Sequence, residues 1–104
     1  MIITVTNNLE LDGLISANGG DTEYPAGGGS GGSVYIVTNS LNGSGKISAN
    51  GGGTLQVSGN DRVWSGGGGG RIAVYSENSD FSGTIEASGG DGIHPGSRGT
   101  IKTF

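Results

Sequence analysis

Apolar residues come in short β-branched runs, separated by polar turns and glycine. Ile2-Ile3-Thr4-Val5-Thr6, Val34-Tyr35-Ile36-Val37-Thr38 and Ile72-Ala73-Val74-Tyr75 each read as a strand. A shorter run follows each of them: Ile15-Ser16-Ala17-Asn18-Gly19-Gly20, Ile47-Ser48-Ala49-Asn50-Gly51-Gly52 and Ile85-Glu86-Ala87-Ser88-Gly89-Gly90. In these runs Ile and Ala alternate with polar residues, the pattern of a half-buried strand. No window places apolar residues at i, i+3, i+4 and i+7 without a glycine between them, so the pattern predicts no helix.

The runs repeat in register. A shift of 32 lays Val5-Thr6-Asn7-Asn8-Leu9 on Val37-Thr38-Asn39-Ser40-Leu41, Gly13 on Gly45 and Ile15 on Ile47. A further 38 lays Val34 on Ile72, Ile36 on Val74, Gly45 on Gly83 and Ala49 on Ala87. The combined shift of 70 lays Tyr24-Pro25 on His94-Pro95. Glycine bias alone does not align apolar positions, alanines and a proline together. The reading is one domain, residues 1–104, of three units: 1–32, 33–70 and 71–99. A fourth strand, 100–104, follows them.

The fold class expected is all-β, a glycine-rich repeat domain built as a parallel β-solenoid. Ile2, Val34, Ile72 and Ile101 form one inward column, and Thr4, Ile36, Val74 and Thr103 the next. Ile15, Ile47 and Ile85 form a third, beside Ala17, Ala49 and Ala87. The glycine pairs after the second strands are expected at sharp turns that need positive φ. The longer tracts, Gly27–Gly32 and Gly66–Gly70, are either close-packed extended or polyproline-II-like layers, or loops on one side. An antiparallel sandwich of repeated hairpins is the alternative, with Ile47–Ala49 paired to Leu55–Val57 across Asn50–Gly53.

Composition narrows the class. Glycine takes 25 of 104 positions and charged residues 13%. Such a balance suits disorder, but disordered linkers lack β-branched runs. There is no cysteine, hence no disulfide and no thiolate metal site. The net charge of −4 disfavours a nucleic-acid partner. No apolar run is long enough for a membrane span. The opening MIITVTNN lacks a signal peptide's basic region and long apolar core.

Candidate chemistry changes little. Gly43-Ser44-Gly45-Lys46 lacks the Ser/Thr and helix of a phosphate loop. Asp21 and Asp91 follow glycine pairs as in calcium nonapeptides, but Gly53 replaces the aspartate between them, so no metal or cofactor is assigned and calcium is kept as the alternative. His94 stands without a catalytic partner, and carboxylates such as Glu10 and Asp12 lie among polar turn residues. No catalytic residue is expected. Tyr24, Trp64 and Tyr75 are the candidate glycan contacts, since aromatic rings offer flat apolar faces to sugars.

The first and last strands carry the same phase of the repeat. Ile2, Thr4 and Thr6 at one end and Ile101, Thr103 and Phe104 at the other are the expected end-to-end contacts. Glu10, Asp12, Asp21 and Glu23 lie in the first unit without Lys or Arg. After Asp91 come Arg98 and Lys102 without an acid. Opposite charges favour head-to-tail contact, which propagates when it does not close.

GGGSGGSVYI, GKISANGGG and GGGGGRIAVYSENSDFSGTIEASGG together resemble the glycine-rich repeats of large extracellular, adhesin-like proteins. The resemblance covers nearly the whole chain. It implies a structural or adhesive module at the cell surface, partnered by itself or by neighbouring repeats. It brings no catalytic residues. A carbohydrate-binding module that takes polysaccharide through exposed aromatics is the alternative.

Overall fold

The computed structural model describes residues 1–23, 27–55, 65–92 and 94–104. Among them are nine strands and no helix: β1 (Ile2–Glu10), β2 (Leu14–Ser16), β3 (Thr22–Glu23), β4 (Ser33–Gly43), β5 (Lys46–Ser48), β6 (Thr54–Leu55), β7 (Arg71–Phe81), β8 (Thr84–Glu86) and β9 (Thr100–Thr103). They form three sheets, ordered β1-β4-β7-β9, β2-β5-β8 and β3-β6, and every strand pair is parallel. The protein is therefore all-β with parallel sheets. The hairpin alternative fails. β5 lies between β2 and β8, and β6 pairs with β3; Gln56 and Val57 lie outside the described residues.

The chain measures 53 × 19 × 17 Å. Four strands spaced about 4.8 Å apart span only about 14 Å across the sheet. The long dimension therefore runs along the strands.

Val34, Ile36 and Leu41 of β4, Ile72 and Val74 of β7, and Ile47, Ala49 and Ala87 are buried together. Ile47 and Ala49, in the middle of their columns, are 0% exposed, whereas Ile15 and Ile85 at the ends are only half-buried. The expected columns Val34–Ile72–Ile101 and Ile36–Val74–Thr103 are observed.

The first strand departs from expectation. Ile2 pairs with Tyr35 and Thr4 with Val37, one position off the predicted register, and Ile3 faces Ile36 instead. Register shifts between Val5↔Thr38 and Asn8↔Ser40, so Thr6 and Asn7 together oppose Asn39, a β-bulge. The buried Thr38 hydroxyl holds the bulge and lies 3.1 Å from the carbonyl oxygens of both Asn7 and Ser40. The bulge turns Ile3 and Val5 inward and leaves Ile2 77% exposed.

The glycines also depart from expectation. Gly43 is the one described residue with positive φ, at 111°. It makes the turn from β4 to β5. The pairs Gly19-Gly20, Gly51-Gly52 and Gly89-Gly90 are not at positive φ. They continue from β2, β5 and β8 and pack backbone to backbone against the long tracts. Their hydrogen bonds form one alternating ladder: Gly29 N–H to Gly20 O, Gly52 N–H to Gly29 O, Gly67 N–H to Gly52 O, Gly90 N–H to Gly67 O and Gly96 N–H to Gly90 O, at 2.7–3.0 Å.

Within the middle tract, Gly66 and Gly69 donate to His94 and Ser97, and Gly67 and Gly70 to Gly52 and Ala49. Successive donors to one neighbour are three residues apart, the repeat of a polyproline II helix and not the two of a strand. The tracts are thus packed layers, not loops. Glycine is required by proximity: a Cβ on Gly67 would overlap the Gly29 carbonyl, and one on Gly52 the Gly20 carbonyl. On Gly68 the nearest atom is Ser97 O at 3.9 Å.

This ladder corrects one alignment. Gly29, Gly67 and Gly96 make equivalent bonds, as do Gly32, Gly70 and Gly99. Pro95 therefore stands at the place of Gly28 and Gly66, not at that of Pro25, which lies outside the described residues.

Candidate interaction surfaces

β1 and β9 form the two opposite edges of the long sheet. Met1 O accepts the Tyr35 N–H at 2.9 Å, so alternation turns the main-chain groups of Ile2 and Thr4 to the open edge, whereas Thr6 lies in the bulge. At the other edge the Thr100 N–H bonds to Gly70 O, just before β7, and the Phe104 N–H to Val74 O of β7. Ile101 and Thr103 therefore turn theirs outward. Four of the six predicted end contacts, Ile2, Thr4, Ile101 and Thr103, present main-chain groups at an edge. Phe104 does not: its backbone is bonded to β7, and the residue is 59% exposed.

The outer face of the long sheet carries an aromatic stripe. The Tyr75 ring stacks on Phe104, with centroids 4.3 Å apart and 4° between planes. Its centroid is 5.3 Å from that of Tyr35, tilted by 49°. Grooves of about 550 and 420 Å³ flank the stripe, one reaching Thr4, Val37 and Glu77, the other Arg71 and Lys102. Phe104 covers one face of the Tyr75 ring, which weakens its fitness for stacking on a sugar, and the residue stays 37% exposed. Tyr24 and Trp64, the other two candidate glycan contacts, lie outside the described residues.

On the outer face of the β2-β5-β8 sheet, polar side chains link the strands. Asn18 Oδ1 accepts the Asn50 N–H at 2.8 Å, and Asn50 Oδ1 accepts the Ser88 N–H at 2.8 Å. Asn50 Nδ2 donates to Glu86 Oε1 at 2.8 Å, and Lys46 Nζ lies 2.7 Å from the same oxygen. The Lys46 ammonium, then the Asn50 amide, hold the Glu86 carboxyl below its usual pKa. Ser48 alternates with Lys46 and Asn50 on this face and pairs with Glu86. It is buried, and its hydroxyl has no partner among the described residues.

Asp21 and Asp91 line a cavity of about 420 Å³ with Asn50, Gly53 and Ser88. Asp21 Oδ1 accepts the Gly53 N–H at 2.7 Å, and Asp91 lies on the other side of Gly53. The aspartates are thus separated by one layer, and no group of three His, Cys, Asp or Glu side chains suited to a metal occurs among the described residues. His94 is exposed and bridges to Ser65 through main-chain pairing.

The asparagine links and the ring stack are features that sequence reasoning missed. Asn precedes the glycine pair in the first two phrases and Ser in the third. Tyr35 and Tyr75 alternate with buried residues in their strands, which already marks them as outward. No helix among the described residues is long and apolar enough to cross a membrane. Set against protein-family models, curated proteins and solved structures, the chain matches none.

Proposed function

We propose that the chain is a non-catalytic structural or adhesive module that works outside the cell, a β-solenoid whose three units stack as layers of the same kind. The observation that carries this reading is the unbroken parallel order β1-β4-β7-β9, repeated in β2-β5-β8 and in the glycine ladder. Such a stack is stabilised mainly between neighbours, so layers add without changing those already present. The extracellular setting rests on the resemblance of the glycine tracts to adhesin-like repeats.

Duplicating residues 33–70 within the chain tests the layered reading. A module built by stacking accepts the extra layer, keeps its β circular-dichroism spectrum and melts at a higher temperature. Loss of cooperative melting would sink the reading.

A carbohydrate-binding role is the second reading, favoured by the exposed stripe of Tyr35 and Phe104 and its two grooves. A glycan array separates the two: binding that disappears in Trp64→Ala or Phe104→Ala supports it, and an array without signal leaves the structural role alone.

A further inference from the structure

The glycines of the packed tracts fall into two sets that face opposite ways along the stack. A Cβ on Gly67, Gly70, Gly96 or Gly99 would overlap a carbonyl of the preceding tract: Gly29, Gly32, Gly67 and Gly70 respectively. A Cβ on Gly28, Gly31, Gly66 or Gly69 would overlap a carbonyl of the segment that follows: Gly52, Ala49, Gly90 and Ala87 respectively. The middle tract has layers on both sides and is glycine throughout.

The last tract, 94–99, keeps only one set. Gly96 and Gly99, which face the preceding layer, are retained. At the places of Gly66 and Gly69, which face the following layer, stand Pro95 and Arg98. The opposite end behaves in reverse. A Cβ on Gly20 would meet nothing within 4 Å, and on Gly32 nothing closer than 3.4 Å, yet both are glycine. Their counterparts Gly52 and Gly70 do need to be glycine, because each has a preceding layer.

We propose that the stack is polar: Pro95 and Arg98 close the β9 end against another layer, the β1 end stays open to one, and a second copy of this chain is therefore barred from adding head to tail. This rests on the layered reading above. A second copy continuing the stack in register would bring the carbonyls of its Gly20 and Ala17 onto the Cβ atoms of Pro95 and Arg98. Pro95 also lacks the N–H with which Gly66 bonds its neighbour. In the same register Met1–Thr4 of the second copy would need the place held by Ile101–Phe104.

The test uses the chain with Met1–Thr4 removed, so that only the cap differs between two proteins, one native at Pro95 and Arg98 and the other Pro95→Gly/Arg98→Gly. Both carry Leu14→Cys and Thr84→Cys. Within one chain these cysteines are two strand spacings apart, roughly 10 Å, too far for a disulfide; across a stacked junction they are one spacing apart. In sedimentation velocity the capped protein is expected to stay monomeric. The uncapped one is expected to at least double its mean mass with concentration and to give a disulfide ladder on oxidation. Equal assembly of the two overturns the cap, and so does an uncapped protein that stays monomeric. Arg98→Gly alone, checked by its melting curve, replaces the pair if the pair does not fold. The duplicated-layer melt is independent of these outcomes, so failure of the cap and failure of the layered reading are told apart.

Discussion

Asn18 Oδ1 accepts the main-chain N–H of Asn50 at 2.8 Å, and Asn50 passes the same bond on to Ser88. A side chain that bonds the equivalent residue of the next layer fixes register as well as spacing. Asn50 also holds Glu86, so it serves two bonds where Asn18 serves one. Asn18→Ala should cost about 1 kcal/mol and Asn50→Ala about 2 kcal/mol. Urea unfolding of the two variants checks the order; equal costs would mean that the amides are satisfied by water.

Gly67 and Gly68 are adjacent in the same tract and differ in what lies over them. Gly67→Ala forces a methyl onto the Gly29 carbonyl and should cost more than about 3 kcal/mol, or unfold the chain. Gly68→Ala meets only Ser97 O at 3.9 Å, and should be neutral or stabilising by up to about 1 kcal/mol through the unfolded state. Thermal melts of the pair decide it. Flexible tracts would show no difference between them.

Ser48 buries a hydroxyl without a partner among the described residues. Removing it relieves a desolvation cost, so Ser48→Ala is expected to stabilise by about 1 kcal/mol, against the usual sign for a buried substitution. A lower urea midpoint in this variant would show that the hydroxyl is bonded in solution.

Glu86 makes stability pH-dependent in a defined direction. Its folded pKa is lowered by Lys46 and Asn50 from 4.5. Its contribution is therefore present in full above that value and is lost as pH falls through the lower, folded pKa. The pair is partly exposed, so the size is under about 1 kcal/mol. Lys46→Met should flatten this part of the profile below pH 4.5 and leave the rest parallel; urea midpoints from pH 7 to pH 3 measure it.

Much of this architecture is legible in the chain. The alternation of Val34, Ile36, Ile72 and Val74 marked the core face correctly, because strand periodicity is local and each of these residues has a layer on both sides. Ile2 misled because Thr6-Asn7 opposes a single residue, and an extra residue in a bulge leaves no mark on hydrophobic alternation. Gly19, Gly51 and Gly89 read as turns because glycine is needed equally for positive φ and for close approach, and only the carbonyls beyond them tell the two apart. Pro95 read only as the counterpart of Pro25, and Arg98 only as a charge after Asp91. Their meaning comes from the layer that Gly66 and Gly69 touch, which is distant in sequence. The edge residues Ile101 and Thr103 were legible from phase alone, whereas the stacking of Tyr75 on Phe104 required knowing which strands are neighbours.

The parallel register underlies the columns, the glycine ladder and the asparagine links, and engineered cross-links test it most directly. Leu14→Cys/Lys46→Cys and Lys46→Cys/Thr84→Cys join residues that pair on adjacent strands. Each pair should oxidise within a monomer, with a mass loss of two hydrogens and a higher melting temperature. Free thiols in both pairs after oxidation, in a protein that remains folded, would contradict the stacked order.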